Sequence, residues 1–374
     1  MTSSYIFSKA LRGKTVLITG HTGFIGSWLS LWLHLLGVKV IGFSLEPPTN
    51  PSMFEVVELS KYVVHNIGDV KDSNHFTECL IHHKPEVVFH LAAQPLVMTS
   101  YQNPVETFRT NIMGVVNVLE GIRNTNSVRA CVIMTSDKCY RNDEKTDAYK
   151  ENDPMGGHDP YSGSKGAAEL VTSAYRNSFF NPNDIEKHKV SIATIRAGNV
   201  IGGGDWARDR IVPDCIHSLM SKQSVALRHP KAIRPWQHVL EPLSGLLCLT
   251  AKMMENLATY GEAWNFGPSH SSKVTVEELV TQVIKQWGSG NWTSDKTHSS
   301  FHESNYLMLD SSKAMNLLGW QPVYSLNEAV SETISWYKAY ASATTQMNDF
   351  TITQIQKYIK KAKQMNISWA DDLV

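Results

Sequence analysis

The sequence has no surplus of either charge: 35 Lys and Arg offset 35 Asp and Glu across 374 residues. A polyanion draws an excess of cations, so nucleic acid is not an expected partner and any basic cluster is local. Cysteine is scarce. Cys79, Cys131, Cys139, Cys215 and Cys248 are odd in number, widely spaced, without a Cys-x-x-Cys pair and without a secretory signal ahead of them. Neither a disulfide framework nor a thiolate metal site is expected, and the setting is read as cytoplasmic. The closest histidine pair, His82 and His83, is adjacent and lacks the i, i+4 spacing of helix-borne ligands, so no metal is expected. The strongest apolar run, from Phe24 to Val38, contains His34 and falls short of the roughly 18 residues of a membrane span. It reads as a buried core helix. There is no internal repeat and no low-complexity tract.

An apolar share of 42% is ordinary for a globular chain, and the length exceeds one typical domain. The N-terminal half alternates strand and helix, which predicts an α/β fold with a doubly wound parallel sheet. Strands are expected at Val16 to Thr19, Val38 to Phe43, Tyr62 to His65, Val87 to Leu91, Ala130 to Thr135 and Val190 to Arg196. Helices are expected from Phe24 to about Leu36, from Pro104 to Arg123, from Tyr161 to about Phe180, and from His238 to Asn256. Beyond Arg196 the segments turn glycine-rich, tryptophan-bearing and irregular, which suggests a smaller C-terminal substrate-binding domain. The expected division is 10–198 plus about 236–266 for the dinucleotide domain, 199–235 and 267–340 for the smaller one, and a tail at 341–374 with no motif.

Gly20-His21-Thr22-Gly23-Phe24-Ile25-Gly26 follows the first strand and opens a helix. In that context the first glycine makes the tight turn, the second lets the backbone approach a pyrophosphate, and the third lets helix and strand pack. At the end of the second strand stands Ser44, with Glu46 two residues on, where an acid would accept ribose hydroxyls. No Arg or Lys closely follows that strand to meet a 2′-phosphate, so NAD is favoured over NADP. Tyr161 and Lys165, four apart at the start of a helix, project from one face. A phenol ionises near pH 10, and a neighbouring ammonium favours phenolate.

The equal glycine spacing and the Tyr161/Lys165 pair resemble the extended short-chain dehydrogenase/reductases, a Rossmann-fold superfamily. The resemblance implies an NAD site drawing on Asp69, Val70, Leu91, Ala92, Ala93, Gln94 and Thr110 beside the loop, Ser44, Tyr161 and Lys165. It implies that Ser136, at the end of the fifth strand, bonds the reacting hydroxyl alongside Tyr161. The string Ser136-Asp137-Lys138-Cys139-Tyr140, with Gly203-Gly204-Asp205-Trp206-Ala207 and Arg234-Pro235-Trp236-Gln237-His238-Val239, is similar to the nucleotide-sugar 4,6-dehydratases, in particular the branch acting on CDP-glucose. It covers about residues 10 to 335. Relatives usually place an acid pair after the serine, whereas this chain has Asp137 then Lys138. Elimination of water needs one group to take a proton and another to give one, so Lys138 is assigned as base and Asp137 as acid. A plain loop ion pair is the alternative.

The resemblance further implies that Asn199, in Arg196-Ala197-Gly198-Asn199, touches a substrate diphosphate. Gln94, Asp205, Arg208, Arg210 and Arg234 are further substrate candidates, since guanidinium forks suit phosphates. Trp206 and Trp236 either stack on base or sugar or pack the smaller domain. The implied activity is a hydro-lyase reaction on a nucleotide sugar in deoxysugar, O-antigen or lipopolysaccharide, biosynthesis. A homodimer or homotetramer through the helices after Pro104 and Tyr161 is expected. A 4-epimerase and a non-catalytic NAD-binding scaffold are the alternatives.

Overall fold

The computed structural model describes residues 6–143, 147–268, 273–294 and 307–370. Its centre is a seven-stranded parallel sheet: β1 (Thr15–Thr19), β2 (Lys39–Ser44), β3 (Val64–Ile67), β4 (Val87–His90), β5 (Ala130–Met134), β6 (Ser191–Arg196) and β7 (Ala263–Asn265), in the order β7-β6-β5-β4-β1-β2-β3. The order reverses between β1 and β4, which creates the crevice at the carboxyl edge where ligands of such sheets bind. The central strands are buried on both faces, as crossover helices require, and alternation sends side chains to opposite sides. Val16 and Ile18, Val87 and Phe89, Ala130 and Val132 join one apolar cluster, while Leu17, Val88, Cys131 and Ile133 join the other. All five cysteines are buried and unpaired.

Helix α1 (Phe24–Leu35) is buried from Gly26 to Leu33, the core helix the sequence predicts; no described helix is long and apolar enough to cross a membrane. The strand expected at Tyr62 to His65 begins two residues later, because Tyr62 closes a short 3-10 turn, Leu59–Lys61. The single helix expected from Pro104 to Arg123 is instead an α-turn (Pro104–Phe108), a π segment (Arg109–Met113) and α2 (Gly114–Arg123). The π segment turns Asn111 inward. Its amide accepts from Gln94 N at 2.8 Å and donates to Gln94 O at 3.1 Å and Ser164 Oγ at 2.8 Å. The widened turn thereby joins the loop after β4 to the next long helix, α3 (Pro160–Ser178).

After β6 the chain builds a smaller lobe from three two-stranded pairings, 200–201 with 237–238, 225–227 with 292–294, and 233–235 with 273–275, and helices including Ile211–Met220 and Val276–Trp287. Helix α4 (Leu240–Glu255) returns to pack on the sheet. One apolar cluster runs through both lobes, so they share a core.

The C-terminal tail belongs to that core. Helix α5 (Met347–Gln364) buries Ile355, Tyr358 and Ala362, and Trp369 stacks on Phe7 at 5.0 Å. Tyr358 donates to Glu241 Oε2 at 2.7 Å, and that carboxyl also accepts from Val323 N and Tyr324 N. Burial nevertheless pushes Glu241 up to about 7. An acid whose folded pKa is raised binds more protons folded than unfolded, so its contribution is complete below the unfolded value and is lost as pH rises through the folded one. Between pH 4.5 and about 7 the stability of wild type should fall relative to Glu241→Gln, by at most about 1.4 kcal/mol per pH unit. Urea unfolding of both proteins across that range measures the difference, and parallel pH curves would refute it.

Candidate active site

Strand β5 delivers its chemistry at the sheet edge. Past Met134 the chain enters a 3-10 turn, Asp137–Cys139, capped by Ser136, whose Oγ accepts from Lys138 N at 3.2 Å and donates to Asp137 Oδ1 at 3.0 Å. Asp137 N bonds Ala197 O at 3.2 Å, pinning the turn to the end of β6. The carboxyl lies flat against Gly198, where a Cβ would stand 2.0 Å from Asp137 Oδ2. Glycine is therefore required at 198 by the acid beside it.

Helix α3 brings up Tyr161 and Lys165. Asp159 caps it, accepting from Ser162 N at 2.9 Å, and Pro160 occupies the first turn, where its missing N–H costs nothing. Lys165 Nζ lies 5.9 Å from the Tyr161 ring centroid and 3.5 Å from Met134 O. Burial dominates the electrostatics: it pushes Tyr161 up to about 12, against a hydrogen bond with Ser136. It pulls Lys165 down to about 8. Asp137 is raised above the usual carboxylate range by burial, opposed by Lys138, Ser136 and Arg234. An acid held toward its neutral form suits proton donation.

Behind the site lies a buried ion pair, Arg196 Nη2 to Glu169 Oε2 at 2.7 Å, with both side chains 4% exposed. Glu169 also accepts from Thr135 and from Thr194 Oγ1. Arg196 reaches Tyr140 OH at 2.7 Å and Glu151 O at 2.8 Å, and Tyr140 OH donates to Asn265 Oδ1 at 2.7 Å. The residues flanking the catalytic turn, Thr135 and Tyr140, are thus both held from behind.

The glycine loop fits a dinucleotide. Gly20 has φ +77°, and a Cβ there would meet Ala92 N at 2.7 Å; at Gly26 it would meet Gly20 O at 2.2 Å. At Gly23, which caps α1 without a side-chain bond, nothing lies closer than 3.4 Å. The middle glycine therefore leaves an open approach to the helix N-terminus, the place for a pyrophosphate. Thr22 and Ser44 hydroxyls pair at 2.8 Å where the sequence lacks an acid.

The other residues expected near a cofactor have partners within the protein. The His21 ring turns inward against Gly42 and bonds His65 Nδ1 at 2.7 Å, so only its backbone faces the cradle; burial holds it at about 3. Asp69 is engaged by Lys71, through its N–H at 2.9 Å and its ammonium at 3.3 Å. Val70 packs beside Gly114, and Thr110 Oγ1 turns to Glu106. Leu91 and Ala93 border the cleft, and Ala92 N bonds Thr19 Oγ1 at 3.2 Å. The Gln94 amide bonds Leu96 and Thr107, bracing its own loop, and Gln94 is not among the cleft-lining residues.

A cleft of about 880 Å³ runs from Phe24 and Ile25, past Ser136, Asp137, Lys138, Tyr161 and Lys165, to the smaller lobe. Asn199, Asp205, Arg210, Arg234 and Trp236 line it as expected substrate residues, with Asp205 paired to Arg210 at 2.9 Å. Asn199 sits at φ +42°. Trp206 and Arg208 do not line it. Trp206 is buried among Trp336, Tyr337 and Tyr340, so packing replaces the stacking alternative, and Arg208 borders an adjoining hollow with His217, which shares Asp214, Ala226 and Arg228 with the cleft. Asp159, Glu169 and the constraint on Gly198 escaped sequence reasoning. Only Asp159, an aspartate just ahead of Pro160, carried a local signal, that of a helix cap.

The fold and site define the class: a Rossmann-type α/β protein with serine, tyrosine and lysine beside a dinucleotide cradle, the arrangement of the short-chain dehydrogenase/reductases. The chain belongs to the GDP-mannose 4,6 dehydratase family, whose profile matches residues 17–333. A CDP-glucose 4,6-dehydratase of Salmonella typhimurium is 50% identical over 330 residues, 88% of this chain and 92% of the relative. Among solved structures, a dTDP-glucose 4,6-dehydratase from Bacillus anthracis in complex with NAD has a TM-score of 0.71 at 20% identity, over 87% of this chain and 97% of that one. A UDP-glucose 4-epimerase from Thermotoga maritima with UDP-glucose has a TM-score of 0.73 at 22% identity, over 87% and 99%. These likenesses bear on the fold.

Removing the charge of Glu169 leaves the buried Arg196 guanidinium uncompensated. Glu169→Gln should lower unfolding stability by about 3–5 kcal/mol, read from urea denaturation. A loss below about 1 kcal/mol, the range of an exposed pair, would show that the pair does not hold the site.

Proposed function

We propose that this enzyme is a CDP-glucose 4,6-dehydratase, converting CDP-glucose to CDP-4-dehydro-6-deoxyglucose and water with NAD as its resident cofactor. The observation that carries the reading is the buried Asp137 carboxyl, next to Lys138, on the same turn as Ser136 and lining one cleft with Tyr161. The half-identical Salmonella relative names the sugar nucleotide.

The Gly20–Gly26 loop holds the pyrophosphate, and Lys165 and Tyr161 border the nicotinamide end. Held there, NAD would supply the hydride chemistry, acceptance from C4 of the sugar and return to C6. Tyr161, assisted by Ser136, takes the proton of the 4-hydroxyl. The ketone so formed acidifies the C5 hydrogen, which Lys138 removes while Asp137 protonates the departing 6-hydroxyl; Lys138 then returns a proton to C5. Arg210 and Arg234 offer guanidinium forks to the diphosphate, with Asn199 beside them. Water enters only as product.

The assembly is read as a homodimer or homotetramer through the helical face after Pro104 and Tyr161. Val105, Phe108, Met113 and Leu170 expose apolar surface on those elements, a feature of interaction faces. The reading places the enzyme in the cytoplasm, supplying a deoxysugar pathway.

Incubation with CDP-glucose deuterated at C4 tests the reaction: dehydration moves the label to C6 with loss of one water, detected by mass spectrometry and NMR. Retained mass with inversion at C4 would make the enzyme an epimerase instead. Lys138→Met should lower dehydration by about 10²-fold or more while C4 oxidation persists as slow cofactor reduction. A fully active Lys138→Met would displace Lys138 as the base.

A further inference from the structure

Dehydration leaves two residues out of balance. The hydride removed from C4 is restored at C6, and the proton that Lys138 takes from C5 is restored to C5. Tyr161, by contrast, gains the proton of the 4-hydroxyl, which never returns because the product keeps its ketone. Asp137 loses a proton to the 6-hydroxyl, which leaves as water. Each turnover therefore strands one proton on Tyr161 and removes one from Asp137. The site repeats its cycle only if a proton passes from the first to the second.

The local geometry supplies the path. Ser136 Oγ lies 3.0 Å from Asp137 Oδ1, and Tyr161 lines the same cleft beside Ser136, close enough for the hydroxyl to act on the phenol. A hydroxyl is both donor and acceptor and rotates freely about its C–O bond, so one group serves both neighbours. Exchange with bulk water is poorly placed to compete: Tyr161 is 8% exposed, Ser136 5% and Asp137 3%. The Gly198 backbone lies against the far side of the Asp137 carboxyl and keeps Oδ1 turned toward Ser136.

We propose that Ser136 is a proton relay between Tyr161 and Asp137, so that the proton taken from the 4-hydroxyl of the sugar recharges the acid that protonates the departing 6-hydroxyl. The Tyr161 O–H bond breaks as a new O–H bond forms at Ser136 Oγ, and the former Ser136 proton passes to Asp137 Oδ1. Serine ends as a neutral hydroxyl, Asp137 ends protonated, and no solvent proton is consumed. The relay thereby restores both the phenolate that oxidation at C4 requires and the acid that elimination at C6 requires, ready for the next turnover.

The inference rests on the 4,6-dehydratase reading, and transient kinetics with CDP-glucose separates the two. In Ser136→Ala the first turnover proceeds slowly, because the hydroxyl no longer assists Tyr161. Later turnovers slow further, by about tenfold or more relative to the first, giving a burst of one product per site in rapid-quench traces. The steady-state rate then rises with the concentration of a small buffer such as formate, which stands in for the missing hydroxyl. Ser136→Thr, which keeps a hydroxyl, removes both the burst and the buffer dependence. A first turnover and a steady state that fall by the same factor in Ser136→Ala, without buffer dependence, would overturn the relay while leaving the dehydratase reading intact. Wild-type protein that releases no water from CDP-glucose would overturn both.

Discussion

The buried pair between Arg196 and Glu169 is the interaction on which the site depends. Arg196 closes β6, Glu169 lies one helical turn beyond Lys165 on α3, and Thr135 and Tyr140 flank the catalytic turn. Three segments meet at two charges with almost no solvent contact. The desolvation cost of such a pair offsets much of its Coulomb attraction, so its significance is geometric. A guanidinium and a carboxylate each accept few orientations, and satisfying both fixes helix, strands and turn relative to one another. Asn265 of β7, bonded to Tyr140, extends that register to the sheet edge.

Held in this frame, the reacting groups are tuned mainly by burial. Water exclusion drives Tyr161 upward and Lys165 downward, and keeps Asp137 toward its neutral form. Without further positive charge a phenol at about 12 is a weak base. The dinucleotide site would complete the chemistry, since an oxidised nicotinamide held in it would supply a cation, and a nearby cation favours phenolate. The two carboxyl roles in the molecule also separate by environment: Glu241 spends its acceptors on backbone and Tyr358 in the core, whereas Asp137 keeps a face on the cleft.

Much of the fold was legible because it rests on local patterns. Short apolar runs followed by glycine or by helical periodicity located six of the seven strands and the helix behind the glycine loop. The strand Ala263–Asn265 was not legible, since three residues carry no periodicity. The π segment at Arg109–Met113 was equally hidden: its cause is Asn111 reaching Gln94 and Ser164, neighbours only in space. In the site, Tyr161, Lys165, Ser136 and the three glycines could be read from spacing and from resemblance. Residues that seemed equivalent parted company on folding, with Arg210 and Arg234 on the cleft and Arg208 outside it.

By itself the sequence determined the parallel α/β plan and the glycine loop that opens its first helix, because each follows from residues within a few positions of one another. The tertiary structure alone decided which side chains face the cleft and which face the core: His21 and Trp206 inward, Gln94 onto its own loop, the tail beneath α4. It alone pressed Asp137 against Gly198 and brought Ser136, Asp137 and Tyr161 onto one cleft. The physical reason is that burial and long-range hydrogen bonding, which set orientation and charge state, depend on segments far apart in the chain.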